Sequence, residues 1–217
     1  MTMTNPMPTP FFTDQYGSSY RLVEPGTFVL GDVESTGRPN EQPACEVNIT
    51  EPFFLAERPV TQAQWADIAG HNPSKFQEGW SAGLRPVENI SMTDVESFLE
   101  ALNQRDAETT HLGLKKANPW GFHDMNGLVS EWCADAWERT YSGGRQQHAH
   151  RIEGSNRFVV RGGSWFTESD STRSGARSFA DRDKRSDGLG VRLVWAPLDE
   201  QPEDVGQGAS SSSAVQS

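Results

Sequence analysis

Apolar residues in this chain occur in short groups, and the spacing within each group predicts the element it forms. Tyr20-Arg-Leu-Val23 and Gly26-Thr-Phe-Val-Leu-Gly31 read as short strands divided by the turn pair Pro25-Gly26. Glu46-Val-Asn-Ile-Thr50 alternates with period two, and Pro52-Phe-Phe-Leu-Ala56 continues the extended run. The period then changes. Thr61, followed three residues later by Gln64, forms a capping box, so a helix starts there and stops at Gly70. Ser91 and Asp94 repeat that signal, and Val95, Phe98, Leu99 and Leu102 line one face of a second helix ending near Asn103. Two helices flanked by short strands predict an α+β domain with its elements segregated rather than alternating.

The flanks lack such patterning. Residues 1–19 read as a flexible arm with one short ordered piece around Phe11-Phe12. After Trp195, Asp199-Glu-Gln-Pro-Glu-Asp204 leads into Gly206-Gln-Gly-Ala-Ser-Ser-Ser-Ser213, too polar to bury a core. The expected organisation is an arm at 1–19, one domain at 20–197 and a disordered acidic, Ser-rich tail at 198–217.

Composition narrows the picture. A chain of 217 residues with 13 prolines, 20 glycines and seven tryptophans suits one turn-rich domain of short elements. No run approaches the roughly 18 apolar residues of a membrane span. The N-terminus also lacks the basic and apolar regions of a secretory signal, so a cytoplasmic protein is expected; surface display by another route fits the same sequence. A net charge of −11 argues against a nucleic-acid partner. Cys45 and Cys133 are too few and too far apart for a zinc site or a disulfide framework, and read as free thiols packed as small apolar groups. His148-Ala-His150 has no third ligand beside it, and His111 and His123 have no evident partner. No nucleophile elbow, Walker loop or dinucleotide fingerprint occurs.

Three segments carry candidate chemistry. In Arg161-Gly-Gly-Ser-Trp165 the paired glycines allow close backbone approach or positive φ, Trp165 is expected to fill the core, and Arg161 to pair internally. In Asp124-Met-Asn-Gly-Leu-Val-Ser-Glu131, two carboxylates and a turn at Gly127 offer oxygen-only ligation, which suits calcium. The alternative is that Asp124 caps a turn and Glu131 pairs with an arginine such as Arg161. The third segment is Phe166 to Gly190. Between framework residues Arg173-Ser-Gly-Ala-Arg177, Arg182 or Arg185, and Leu189-Gly-Val-Arg-Leu193 lie Phe166, Thr167, Glu168, Ser169, Asp170, Ser178, Phe179, Asp181, Asp183, Ser186 and Asp187. These show neither helical nor strand period. A long loop of small, polar and aromatic residues on a rigid scaffold is where binding side chains concentrate.

Arg161-Gly-Gly-Ser-Trp165, read with Gly121-Phe-His-Asp-Met-Asn-Gly-Leu-Val-Ser-Glu-Trp132, resembles the formylglycine-generating enzyme/sulfatase-modifying factor family, which elaborates a C-type-lectin-like fold. Gly26-Thr-Phe-Val-Leu-Gly31, Pro59-Val-Thr-Gln-Ala-Gln-Trp65 and Arg85-Pro-Val-Glu-Asn-Ile-Ser91 extend the resemblance, which covers Gly26 to Val194. It implies a structural calcium held by the side chains of Asp124 and Glu131 and the carbonyls of Gly127 and Val129. In the catalytic branch two cysteines after the Arg-Gly-Gly-Ser motif bind copper. Here Thr167 and Thr172 stand at those positions, so no copper and no oxidation are expected. The family's Leu-Pro-Thr-Glu-Ala-Glu-Trp block is absent, with only Gln104 to Ala117 in its place. The anchors also resemble the variable region of diversity-generating retroelement target proteins. The resulting expectation is a non-catalytic binding protein whose ligand is a protein or a glycan. The alternatives are a metal-dependent oxidoreductase of the family and an accessory subunit of a larger assembly.

Overall fold

The computed structural model describes residues 10–34, 36–105, 118, 120–141 and 155–195. His111, His148, His150 and the acidic tail lie outside them. In chain order the elements are β1 (Phe11–Thr13), β2 (Ser19–Val23), β3 (Gly26–Leu30), β4 (Cys45–Ile49), β5 (Phe53–Ala56), α1 (Gln62–Ala69), α2 (Met92–Asn103), β6 (Ser130–Ala136), β7 (Arg157–Arg161), β8 (Ser178–Asp181), β9 (Leu189–Gly190) and β10 (Val194–Trp195). No helix among the described residues is long and apolar enough to cross a membrane.

Both helices start where their caps predict. Thr61 Oγ1 accepts from the Gln64 N–H at 3.3 Å while Gln64 Oε1 accepts from the Thr61 N–H at 2.8 Å. Gly70 closes α1 with φ of 76°. Ser91 and Asp94 make the same reciprocal pair at α2. The two helices then pack through Trp65 and Phe98, stacked 4.4 Å apart and almost wholly buried. Each large apolar side chain buried this way contributes roughly 1.5–3 kcal/mol.

One sheet has the order β1-β2-β5-β10, all antiparallel, with Tyr20 opposite Ala56 and Leu22 opposite Phe54. Its first strand corrects the expected boundary at Tyr20. Phe12 pairs with Tyr20 across β1 and β2, and its ring stacks on that tyrosine at 4.8 Å. Gln64 of α1 also donates to Tyr16 O and Ser18 Oγ, so residues 10–19 belong to the fold. Apolar stacking at Phe12 outweighs the polar composition around it.

β3 and β4 form a separate hairpin. The remaining sheet runs β8-β7-β6-β9, with β9 parallel to β6. Trp132 on β6 seals this sheet to the helices: its indole N–H donates to Ile90 O at 3.1 Å, and Phe158 of β7 meets it edge-on.

Candidate functional site

The chain leaves β7 through Gly162 and Gly163, with φ of 83° and 70°, in the left-handed region where side chains are costly. A Cβ on Gly162 would stand 2.9 Å from Met125 O, and one on Gly163 would stand 2.7 Å from Thr172 Cγ2. Both glycines are therefore required. Arg161 pairs internally, as expected, donating to the carbonyls of Gly175 and Ala176 at 3.1 and 2.6 Å. Trp165 does not fill the core. After the left-handed pair Ser164 turns inward and Trp165 is 59% exposed. Its indole N–H donates to Asp187 O at 3.1 Å, and its ring meets Phe166 and Phe76 edge-on at 5.0 and 5.9 Å.

Thr167 and Thr172 come together, their methyl groups converging on the Gly163 backbone. Their hydroxyls serve the local chain. Thr167 Oγ1 accepts from the Ser164 N–H at 2.8 Å, and Thr172 Oγ1 donates to Ser169 O at 2.8 Å. Copper(I) requires soft ligands, which these hydroxyls are not. Cys133 offers no thiolate in compensation, because burial pushes its thiol up to about 12.

The framework arginines of the segment 173–192 each reach into the scaffold. Arg173 holds both carboxylate oxygens of the fully buried Glu41, at 2.9 and 3.1 Å. Arg177 donates to the carbonyls of Asn40 and Glu138 and lies 4.4 Å from the ring centres of Trp137 and Tyr141. Arg182 pairs with Glu96, and its carbonyl accepts from the Met92 N–H. Arg185 grips Asp94, at 2.7 and 2.8 Å. Arg182 and Arg185 thus both fasten the segment to the start of α2.

Between these anchors, Phe166, Glu168, Ser169, Asp170, Ser178, Phe179, Asp181 and Asp183 are exposed, and Thr167, Ser186 and Asp187 are half-buried. They do not share one pocket. Ser178, Phe179 and Asp181 lie on strand β8, which corrects the reading of the whole segment as a loop. Phe179 pairs with Val159 in register and packs on Trp137, while Arg157 covers its ring and pairs with Asp181 at 3.0 Å. An edge strand with both faces partly wet has no need of period-two alternation, which is why the pattern hid it. Asp183 accepts from Thr93 Oγ1, and Ser186 O accepts from the Asn89 N–H. Asp187 accepts from Lys75 Nζ at 2.6 Å.

The expected calcium donors do not fit that ion through Glu131. Arg192 Nε lies 3.0 and 3.1 Å from its two oxygens, and Arg192 Nη2 lies 2.7 Å from Oε1. A fixed guanidinium therefore occupies the carboxylate that the cation would need. The partner is Arg192 rather than Arg161, and it also donates to Ala56 O and His123 O. Asp124 and Gly127 adopt positive φ, of 56° and 97°, in a tight loop whose Gly127 N–H donates to Gly162 O. Val129 is buried in the core beside it. The loop packs against the Arg-Gly-Gly turn. No cluster of three His, Cys, Asp or Glu suited to a metal occurs among the described residues.

A cavity of about 390 Å³ lies under Trp165, lined also by Phe76, Leu128, Glu88 and Asp187. Phe76 and Glu88 lie outside the segment singled out from sequence. Glu88 Oε1 accepts from the N–H groups of Lys75 and Phe76, at 2.6 and 3.0 Å, and so aims this stretch at the cavity. Nothing in the local pattern of Asn72 to Trp80 links it to Trp165. Only the tertiary contact does.

Comparison with known proteins agrees with this architecture. The model of the sulfatase-modifying factor enzyme 1-like domain matches residues 12–111 and 80–197. A chaperone protein LppX of Paenibacillus barcinonensis is 28% identical over 151 residues, covering 62% of this chain and 49% of that protein. A serine/threonine-protein kinase pkn1 of Chlamydia caviae is 34% identical over 129 residues, covering 57% of this chain and 18% of the kinase. The chain thus spans about half of the first relative and under a fifth of the second. Among solved structures, PvdO from Pseudomonas aeruginosa superposes with a TM-score of 0.74 at 19% identity, covering 87% of this chain and 98% of that one. Treponema denticola variable protein 1 superposes with a TM-score of 0.73 at 21% identity, covering 87% and 100%. These likenesses carry the fold, which is α+β and C-type-lectin-like as the motifs imply. The matched model covers nearly all of the described chain, and the protein belongs to the sulfatase-modifying factor enzyme 1-like domain family.

Proposed function

We propose that this protein is a non-catalytic binding protein that presents the side chains between Phe166 and Asp187 to a protein or glycan ligand. One observation carries the reading: Arg173, Arg177, Arg182 and Arg185 within this segment are fixed on Glu41, Asn40, Glu96 and Asp94, while most of the candidate residues around them face solvent. A rigid frame with exposed, chemically varied positions suits recognition. The exposed set, Phe166, Glu168, Ser169, Asp170, Ser178, Phe179, Asp181 and Asp183, mixes aromatic and hydrogen-bonding groups as binding surfaces do. The fold shared with Treponema denticola variable protein 1 supports a role as a variable protein of a diversity-generating retroelement. A reverse-transcriptase gene nearby, with a near-repeat of the Phe166–Val191 coding segment, is the genomic arrangement expected. Binding of the purified chain to arrayed glycans and displayed proteins, compared with a variant changed at Glu168, Ser169 and Asp170, tests the face. Turnover of a cysteine peptide to formylglycine by copper-loaded protein would instead establish the oxidoreductase, a reaction for which Thr167 and Thr172 supply no thiolate.

A further inference from the structure

The cavity beneath Trp165 combines apolar walls with negative charge. Phe76, Leu128 and Trp165 line it, and its volume of about 390 Å³ falls within the roughly 300–1,000 Å³ of small-ligand sites. Two carboxylates join that lining. Glu88 is 3% exposed, and its Oε2 has no hydrogen-bond partner among the described residues. Asp187 stands at the rim. Arg85 also lines the cavity, donating to Phe76 O at 3.1 Å, and sets one positive charge against the two carboxylates.

The chain already shows which chemistry this place accepts. Lys75 Nζ lies 2.6 Å from Asp187 Oδ2 and 5.3 Å from the Phe76 ring centre, an ammonium held by a carboxylate over an aromatic face. The lysine side chain is 63% exposed, and an ion pair so open to water is readily exchanged. A guest cation seated against the contiguous Phe76 and Trp165 rings beside Asp187 would gain the same two interactions. The unpaired oxygen of Glu88 adds an acceptor to the lining, while burial raises its carboxyl and so weakens its charge.

We propose that this cavity is a subsite for an alkylammonium group, which displaces Lys75 from Asp187 and packs against the contiguous Phe76 and Trp165 rings. Because Trp165, Phe166 and Asp187 adjoin it, the subsite forms one end of the binding face, and the inference rests on that reading. The charge can come from a lysine or methyl-lysine side chain of a protein ligand, or from a free small amine.

The test uses the full chain, with the indole N–H resonance of Trp165 as readout, assigned through Trp165→Phe. Choline is titrated against its neutral isostere 3,3-dimethylbutanol, and a trimethyl-lysine peptide against the same peptide carrying norleucine. Choline should move the resonance and bind about tenfold more tightly than the isostere. Lys75→Met, which removes the internal competitor, should tighten choline binding several-fold, whereas Asp187→Asn and Phe76→Leu should each weaken it. A peptide affinity well above that of choline identifies a protein source; the reverse identifies a free amine. Equal binding of choline and the isostere, or weaker binding by Lys75→Met, overturns the proposal. Changes at Glu168, Ser169 and Asp170, which do not line the cavity, separate the two readings. If they abolish glycan or protein capture while choline fails to bind, the subsite falls and the binding face stands.

Discussion

Arg192 encloses Glu131, giving three donor contacts of 2.7 to 3.1 Å to its carboxylate from a side chain only 3% exposed. The same guanidinium reaches Ala56 O and His123 O, so one residue near the C-terminal end joins β5, β6 and the segment before the Asp124 turn. Burial raises the Glu131 carboxyl, and Arg192 opposes that by stabilising its charge. Removing one member of such a pair strands the other. Arg192→Met should therefore lower unfolding free energy by about 3–5 kcal/mol. Urea denaturation of variant and parent checks this, and a loss comparable to that of an exposed arginine would contradict the pairing.

Calcium dependence follows from the same contact with the opposite sign. With Glu131 held by Arg192, the melting temperature should be the same in millimolar calcium and in excess chelator. A ligand that binds the native state alone at a hundredfold over its dissociation constant adds about 2.7 kcal/mol. A drop of several degrees on chelation would show that the ion is bound after all.

Asp94 sets an acid limit on the anchoring of the segment that carries Arg185. Burial by itself would raise this carboxyl, but Arg185 and the Ser91 donors outweigh that effect and hold it at about 2. Since the folded value lies below the ordinary one, the stabilisation is complete above about pH 4 and is lost as pH falls through about 2. Urea midpoints measured between pH 5 and pH 2 should fall more steeply for the parent than for Asp94→Asn. Parallel curves would place the acid sensitivity elsewhere.

The two motif tryptophans should behave differently. Trp132 is 5% exposed and bonded to Ile90 O, so Trp132→Ala should cost about 3–5 kcal/mol and abolish soluble expression. Trp165 lies at the surface, and Trp165→Ala should leave the fold intact. Thermal melts of the two variants decide it, since equal losses would return Trp165 to the core.

Legibility from sequence follows locality. The caps Thr61–Gln64 and Ser91–Asp94 were readable because each closes within four residues, and the short strands β2 to β5 because their apolar residues are contiguous or alternate within one short run. The glycine pair was readable because few other needs place two glycines after an arginine. What depends on a distant partner was not. Arg161 stands opposite Glu131 in the β6–β7 register, yet its guanidinium turns to Gly175 and Ala176, and Arg192 takes the carboxylate. β8 owes its strand to β7 rather than to its own alternation. Trp165 is outside because of the backbone before it, and its cavity because of Phe76, which no spacing connects to it.

If fixed arginines carry a tolerant face, a randomised library measures that tolerance directly. Phe166, Glu168, Ser169, Asp170, Ser178, Phe179, Asp181 and Asp183 are varied together in one pool, and Arg173, Arg177, Arg185 and Arg192 in a second. Each pool is sorted first for soluble, cooperatively folded protein and then for ligand binding. Exposed positions usually change stability by no more than about 0.5 kcal/mol, so most of the first pool should fold, and its members should differ in what they bind. Most of the second pool should fail to fold. If the first pool also fails, or folds and binds without regard to these side chains, the segment is structural and the binding-face account is wrong.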